Sequence, residues 1–167
     1  MGSLNLNGPI LASKVLCDKA VVAEDVKFTL PEATLQTVEH QALGKIELPI
    51  PLTDALEAGI SSIGFDKGFY KMLGLENKTF EFRYVQNVLK PSGEQKKIGC
   101  KAFIKGIAKN IPGGDLEIGS TYEGAITIAV LRYQLYVDGK EVVLIDKLKG
   151  ILKINGKDYA KEINNLL

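Results

Sequence analysis

The chain has 167 residues, 46% of them hydrophobic and 25% charged, with 21 Lys and Arg set against 20 Asp and Glu. That length fits one domain, residues 1–167, which buries roughly 70% of its unfolded surface and needs no disulfide or metal to hold it. Such composition excludes a disordered chain, a net charge of +1 gives no general nucleic-acid-binding surface, and no stretch approaches the ~20 apolar residues of a membrane-spanning helix.

The first residues, MGSLNLNGPIL, have no basic region followed by an unbroken apolar run, so they do not read as a secretory signal. Strand-like runs bounded by Gly, Pro, Asn or Asp follow: ASKVLC (12–17), EDVKFTLPEATLQTVE (24–39), GKIELPIPL (44–52), AGISSIG (58–64), TFEFRYVQNVL (79–89), KKIGCKAFIKGIAKNI (96–111), GAITIAVLRYQLYV (124–137) and KEVVLIDKLKGILKIN (140–155). Several exceed the usual five or six residues, which predicts hairpin arms, or bends at Pro31 or Gly106. The fold class is therefore mainly β: an antiparallel sandwich or barrel with one flanking helix. That helix is predicted over GFDKGFYKMLGL (64–75), capped by Asp66, with Phe69 and Leu73 inward and Gly74 as its stop. A short C-terminal helix over 157–167 is expected to turn Tyr159, Ile163 and Leu166 inward.

Asp138-Gly139 is a two-residue type I′ hairpin signal, pairing Val137 with Lys140, Leu135 with Val142 and Tyr133 with Leu144. Alternation then assigns Gln134, Tyr136, Glu141, Val143 and Ile145 to the opposite face. That second face is half apolar where a solvated sheet is polar, and GAITIAVL is apolar on both faces. With so little helix to cover them, these faces imply other subunits. Two loops point the same way. TVEHQALGKI carries His40, Leu43 and Lys45, and LKPSGEQKKI carries Lys90, Pro91, Glu94, Lys96 and Lys97. Each is long for a hairpin turn, so each reads either as a mobile surface loop or as an arm that docks on a neighbour.

Catalytic chemistry finds little support. His40 is the only histidine, and GISSIG has Ile63 where a nucleophile elbow needs Gly. Cys17 and Cys100 lack CxxC spacing and read as two buried thiols of a reducing compartment. No metal-ligand pattern or phosphate-binding Gly motif is present: IPGGDLEIGS is read as a hairpin turn, and no cofactor is expected. GEQKKIGCK with Lys101 and Lys105 forms the one basic cluster, without interleaved aromatics, and reads as a solvated face or a salt-bridge surface toward an acidic partner.

From about Lys14 to Leu167 the chain resembles the major tail tube proteins of contractile-tailed, P2-like bacteriophages and R-type phage-tail bacteriocins. VKFTLPEATLQTVEH resembles that family's strand with a Leu-Pro break and a Thr-x-Glu segment, and PLTDALEAGISSIGFD its stretch ending in Gly-Phe-Asp. FYKMLGL matches the helix that follows, and YQLYVDGKEVVLIDKLKGILKINGKDYAKEINNLL carries the order Tyr-x-Leu, Val-Asp-Gly, Ile-Asp, Ile-Asn-Gly and a Leu-rich end. The resemblance implies hexameric rings stacked into a tube inside a sheath, with inner sheets joined into a continuous β-barrel and no active site. It also implies tail sheath, tape measure, baseplate initiator and terminator proteins as partners, DNA as transient cargo of the lumen, and assembly in the host cytoplasm before incorporation into the tail. An injection machine whose tube carries no DNA, a bacteriocin or type VI tube, is the alternative of the same fold. The N-terminal extension, residues 1–13, has no clear counterpart in that family; its apolar Leu4, Leu6, Ile10 and Leu11 read as a strap to an adjacent subunit. Under the resemblance His40, Leu43, Lys45, the segment from Lys90 to Lys97, Tyr136, Val143, Ile145, Leu166 and Leu167 become interface residues.

Overall fold

A computed structural model describes residues 6–63 and 67–167 of the chain. The strands are β1 (Leu6–Cys17), β2 (Ala20–Glu24), β3 (Lys27–Thr29), β4 (Leu35–Ala42), β5 (Gly44–Thr53), β6 (Leu56–Ile63), β7 (Lys78–Leu89), β8 (Gln95–Ala108), β9 (Glu123–Val137), β10 (Lys140–Asp146), β11 (Ile151–Ile154) and β12 (Lys157–Asp158). All pairings are antiparallel. One large sheet runs in the order β12-β11-β10-β9-β8-β7-β1-β2, while β6 joins β9 and carries β3; β4 and β5 form a separate hairpin. The mainly β expectation holds, as an open curled sheet.

The sheet curls because β9 serves two partners along its 15 residues. Its first half pairs with β6 from Glu123 to Val130, and its second half pairs with β10 from Arg132 to Val137. Between them the β8–β9 register slips, with Lys105 opposite Arg132 but Gly106 opposite Val130. Such a bulge bends a strand and changes its inward parity. Accordingly Ile126, Ile128 and Val130 are buried before it and Tyr133 after it. Gly106 is required at the bend, since a Cβ there would press on the Ala129 carbonyl oxygen and lie 2.8 Å from Ile128 Cγ2. The inward residues of β6 and β9 thus face those of β7 and β8, and Ile60, Phe80, Phe82, Ile104, Ile126 and Ile128 form one buried cluster with Val15, Ile145 and Leu152.

Three sequence expectations are corrected here. The helix is a single turn, α1 (Lys67–Tyr70), which buries Phe69; Met72 is buried just after it and Leu73 is only partly covered, while the Asp66 cap lies outside the described residues. Lys78 Nζ closes its end by donating to the Leu73 carbonyl at 2.8 Å. The C-terminal helix, α2 (Lys161–Asn165), has no buried residue, and Tyr159, Ile163 and Leu166 are exposed because Ala160 alone reaches the core. On β10 the hairpin begins as expected with Val137 opposite Lys140, but the register slips between Glu141 and Val143. Val143 therefore faces Leu135, and Ile145 faces Tyr133. The slip turns Ile145 into the core and packs Val143, partly buried, against it, so both lie on the inward face and not on the outer face that strict alternation assigned them.

Burial also sets the response to alkali. It pushes the Tyr133 phenol up from 10.0 to about 12. Burial and then the Asp18 carboxylate push the Cys17 thiol up from 9.0 to about 11. Both acids keep their protons to higher pH in the fold than in the unfolded chain, so the folded state binds more protons across that window. The stability they provide is complete below about pH 9 and is lost as pH rises toward 12, by about 2 kcal/mol for Tyr133. Urea unfolding measured at a series of pH values is expected to show stability falling between about pH 9 and 12, and Tyr133→Phe should lessen that fall, seen as a smaller drop in the urea midpoint. An unchanged drop in Tyr133→Phe would remove Tyr133 from this account.

Candidate assembly surfaces

The segment carrying His40 and Leu43 is a hairpin arm and not an irregular loop. Within it Val38 pairs with Leu48, Glu39 with Glu47, His40 with Ile46, Gln41 with Lys45, and Ala42 with Gly44. Because side chains alternate, Val38, His40, Ala42, Ile46 and Leu48 share one face, and Glu39, Gln41, Lys45 and Glu47 share the other. The polar face holds a Lys45–Glu39 ion pair at 3.6 Å. The apolar face lies bare: Val38, Ile46 and Leu48 are each more than 40% exposed, and Leu43 at the tip is fully exposed.

The arm's base, by contrast, is fixed. Asp54 N–H donates to the Thr34 carbonyl at 3.0 Å, and Lys147 Nζ donates to the Thr53 and Asp54 carbonyls at 3.0 and 2.6 Å. Lys147 is itself set by the turn after β10. There buried Asp146 accepts from the Leu148 and Lys149 N–H groups at 3.0 Å each and lies 3.6 Å from the Arg132 guanidinium. A two-stranded hairpin is marginal alone in water. An anchored base with an uncovered apolar blade is the arrangement of a docking element.

The second loop proves different. Lys90 N–H donates to the Glu94 carbonyl at 2.8 Å and Gly93 N–H to the Lys90 carbonyl at 2.9 Å, which makes 90–94 a tight turn. Lys96 and Lys97 already pair with Val88 and Asn87 on β7. The free arm expected from Lys90 to Lys97 is corrected to a turn and a strand end, with Lys90–Glu94 and Lys96–Asp138 ion pairs at 3.4 and 3.6 Å and Pro91 exposed at the tip.

Leu4 of the N-terminal extension lies outside the described residues. From Leu6 onward that extension is strand: Leu6 pairs with Leu89 and Ile10 with Gln86 of the same subunit. Leu6, Ile10 and Leu11 still point half or more of their surface outward. Tyr136 stays on the outer sheet face, edge-on to Phe103 with ring centroids 5.8 Å apart. Gln134 Nε2 there donates to the Tyr136 hydroxyl at 2.8 Å and to Glu141 at 2.6 Å. Leu166 and Leu167 are almost wholly exposed.

One candidate surface escaped the sequence reading. IPGGDLEIGS (111–120) reads as a hairpin turn, whereas in the structure residues 109–122 form a long irregular connection from β8 to β9 with Ile111, Leu116 and Ile118 exposed by 81% or more. The available signal was the alternation Asp115-Leu116-Glu117-Ile118 between glycines.

These surfaces share one property: they leave apolar side chains uncovered at the ends and arms of a finished core. Residues 10–167 match the family model of phage tail tube protein FII. Over 65 residues the chain is 31% identical to the tail tube protein of Escherichia phage P2, an alignment covering 39% of this chain and 38% of that protein. With the family model spanning the arm, the core and both hairpin turns, the chain belongs to the phage tail tube protein FII family.

Proposed function

We propose that this protein is the structural subunit of a contractile tail's inner tube, built from stacked hexameric rings. Family membership supports the tail tube role, and the observation that carries the assembly is the arm with its bare apolar face. In a ring each arm lies on the next subunit, which covers Val38, His40, Ile46 and Leu48 and completes the arm's partial sheet. Leu43 at the arm's tip, the exposed side chains of Leu6, Ile10 and Leu11, Tyr136 on the outer face, and Leu166 and Leu167 add further contacts within or between rings.

The mechanism is mechanical. A sheath that contracts around the tube drives it through a bacterial envelope, and in a phage the genome then passes down the lumen. Its partners under this reading are the sheath, the tape measure, the baseplate initiator and the terminator, and its place is in the virion. Strands bonded along nearly their whole length suit a conduit that transmits force, because a sheet resists extension through many backbone hydrogen bonds at once.

Negative-stain microscopy of the purified protein over a concentration series, with and without a baseplate initiator complex, tests the proposal. Rings or hollow tubes are the expected result. Dispersed monomers at every concentration, with the initiator present, would overturn it.

A further inference from the structure

On the outer face of the large sheet, Lys14 of β1 lies opposite Arg83 of β7, and Arg83 lies opposite Lys101 of β8. Three cations thus occupy one rung across adjacent strands, spanning roughly 10 Å. Like charges placed directly opposite each other in a sheet are destabilising. Glu24 and Glu81 engage the first two at 3.3 and 2.6 Å, whereas among the described residues Lys101 has no ion-pair partner. The rung lies in a trough of about 630 Å³, bordered by Val85 and Gly99 on one side and Phe103 with Tyr136 on the other. Gly99 deepens it, since nothing lies within 4 Å of the position its Cβ would take.

At the other end of the same strands sits the connection from β8 to β9. Its segment Asp115-Leu116-Glu117-Ile118 is exposed, and among the described residues neither carboxylate has an ion-pair partner. Asn110 ties the connection to the Ala108 end of the sheet: its Nδ2 donates to the Ala125 carbonyl at 2.9 Å, and its Oδ1 accepts from Thr127 N–H at 2.7 Å. Tyr122 Oη donates to the Gly113 carbonyl at 2.8 Å and holds the loop folded on itself. Lys101 lies roughly 24 Å further along β8 from that end. The segment and the trough therefore do not meet within one subunit.

We propose that the 115–118 segment of one copy docks in the Lys14–Arg83–Lys101 trough of the next. Asp115 and Glu117 stand two residues apart just ahead of a tight turn, in which Ser120 N–H donates to the Glu117 carbonyl at 3.2 Å, and docking sets both carboxylates against the cation rung. Leu116 and Ile118, both almost wholly exposed, then meet the apolar border. A contact between opposite ends of a subunit is heterologous, so it repeats from copy to copy and closes into rings or propagates as a stack. The proposal rests on the self-assembly reading above and names one of its contacts.

Charge reversal tests it. One variant carries Asp115→Lys with Glu117→Lys, and a second carries Arg83→Glu with Lys101→Glu. Each should stay folded by circular dichroism, and each alone should lose assembly by about tenfold in pelletable polymer. Mixing the two should restore it, because each variant's segment then meets a trough of opposite charge. Wild-type assembly should weaken as salt rises, as expected for exposed charge pairs. If both variants assemble as wild type does, the contact is refuted while the tube reading stands. If both fail and mixing restores nothing, the two surfaces do not meet and the contact is again refuted. Wild-type protein that never assembles with the initiator would sink the tube reading and this contact together.

Discussion

Replacing Phe82 with alanine is expected to lower the unfolding free energy by about 4 kcal/mol, the range for emptying a fully buried Phe site. Phe82 has no exposed surface and lies in the cluster where the inward face of β7 meets β6 and β9. Its ring packs on Phe28 with centroids 4.8 Å apart, and Phe28 also approaches Tyr84 at 5.9 Å. Within the sheet Phe28 belongs to β3, a strand of three residues that among the described residues pairs with β6 alone. The substitution thus opens a cavity and also removes the ring that holds β3 down. A domain of this kind has about 5–15 kcal/mol in total, so a large share of the molecules should unfold in mild denaturant. Urea titration should show a lower midpoint with an unchanged slope. Phe103→Ala, on the outer face beside Tyr136, is the control and should cost markedly less. A loss under 1 kcal/mol for Phe82→Ala would mean that the two halves of the curled sheet do not share this core.

Strands of this fold were legible where burial alternates cleanly. In β8 and β9 the buried residues follow every second position, and Gly106 marked a bend that the structure places at the β8–β9 bulge. Asp138-Gly139 announced its hairpin, and both residues adopt positive φ as a type I′ turn demands. Asp18-Lys19 makes a similar turn, with φ of 49° and 70°, but a lysine in that position gives no warning, so β2 was missed. The slip at Val142 likewise carries no glycine or proline, and it moved Val143 and Ile145 from an outer face to the inside. Periodicity showed that the C-terminal helix has an apolar side; it says nothing of whether the domain offers that side a partner. The arm was visible as an unusual length of chain, but its two faces emerge only once His40 is set opposite Ile46, because register alone decides which side chains share a face.

Removing the blade of that arm, residues 37–52, and joining the stumps with a short glycine linker is expected to leave a folded, monomeric subunit that forms no tube. The base that remains has its own ties, through Asp54 to Thr34 and Lys147 to Thr53, and Leu35 and Leu56 stay packed on the core. Among the described residues the blade's two strands pair only with each other, so its loss removes no strand from the large sheet. What disappears is the apolar face of Val38, Ile46 and Leu48, each more than 40% exposed in the free subunit. Covering the rest of each side chain contributes about 1 kcal/mol, or about 3 kcal/mol for one arm. That is too little for a stable pair, since association costs at least several kcal/mol in lost freedom. In the ring reading it acts together with the other exposed surfaces, and closure adds one contact that forms intramolecularly, so that the loss of every arm at once removes several contacts from one assembly. The deletion should accordingly abolish assembly rather than weaken it in proportion. The single substitution Leu48→Asp, on the same face, should come close to the same result. Sedimentation velocity and circular dichroism on both variants separate the outcomes. Folded monomers support the arm as the ring's clasp, whereas wild-type rings from the deleted chain would assign closure to other surfaces.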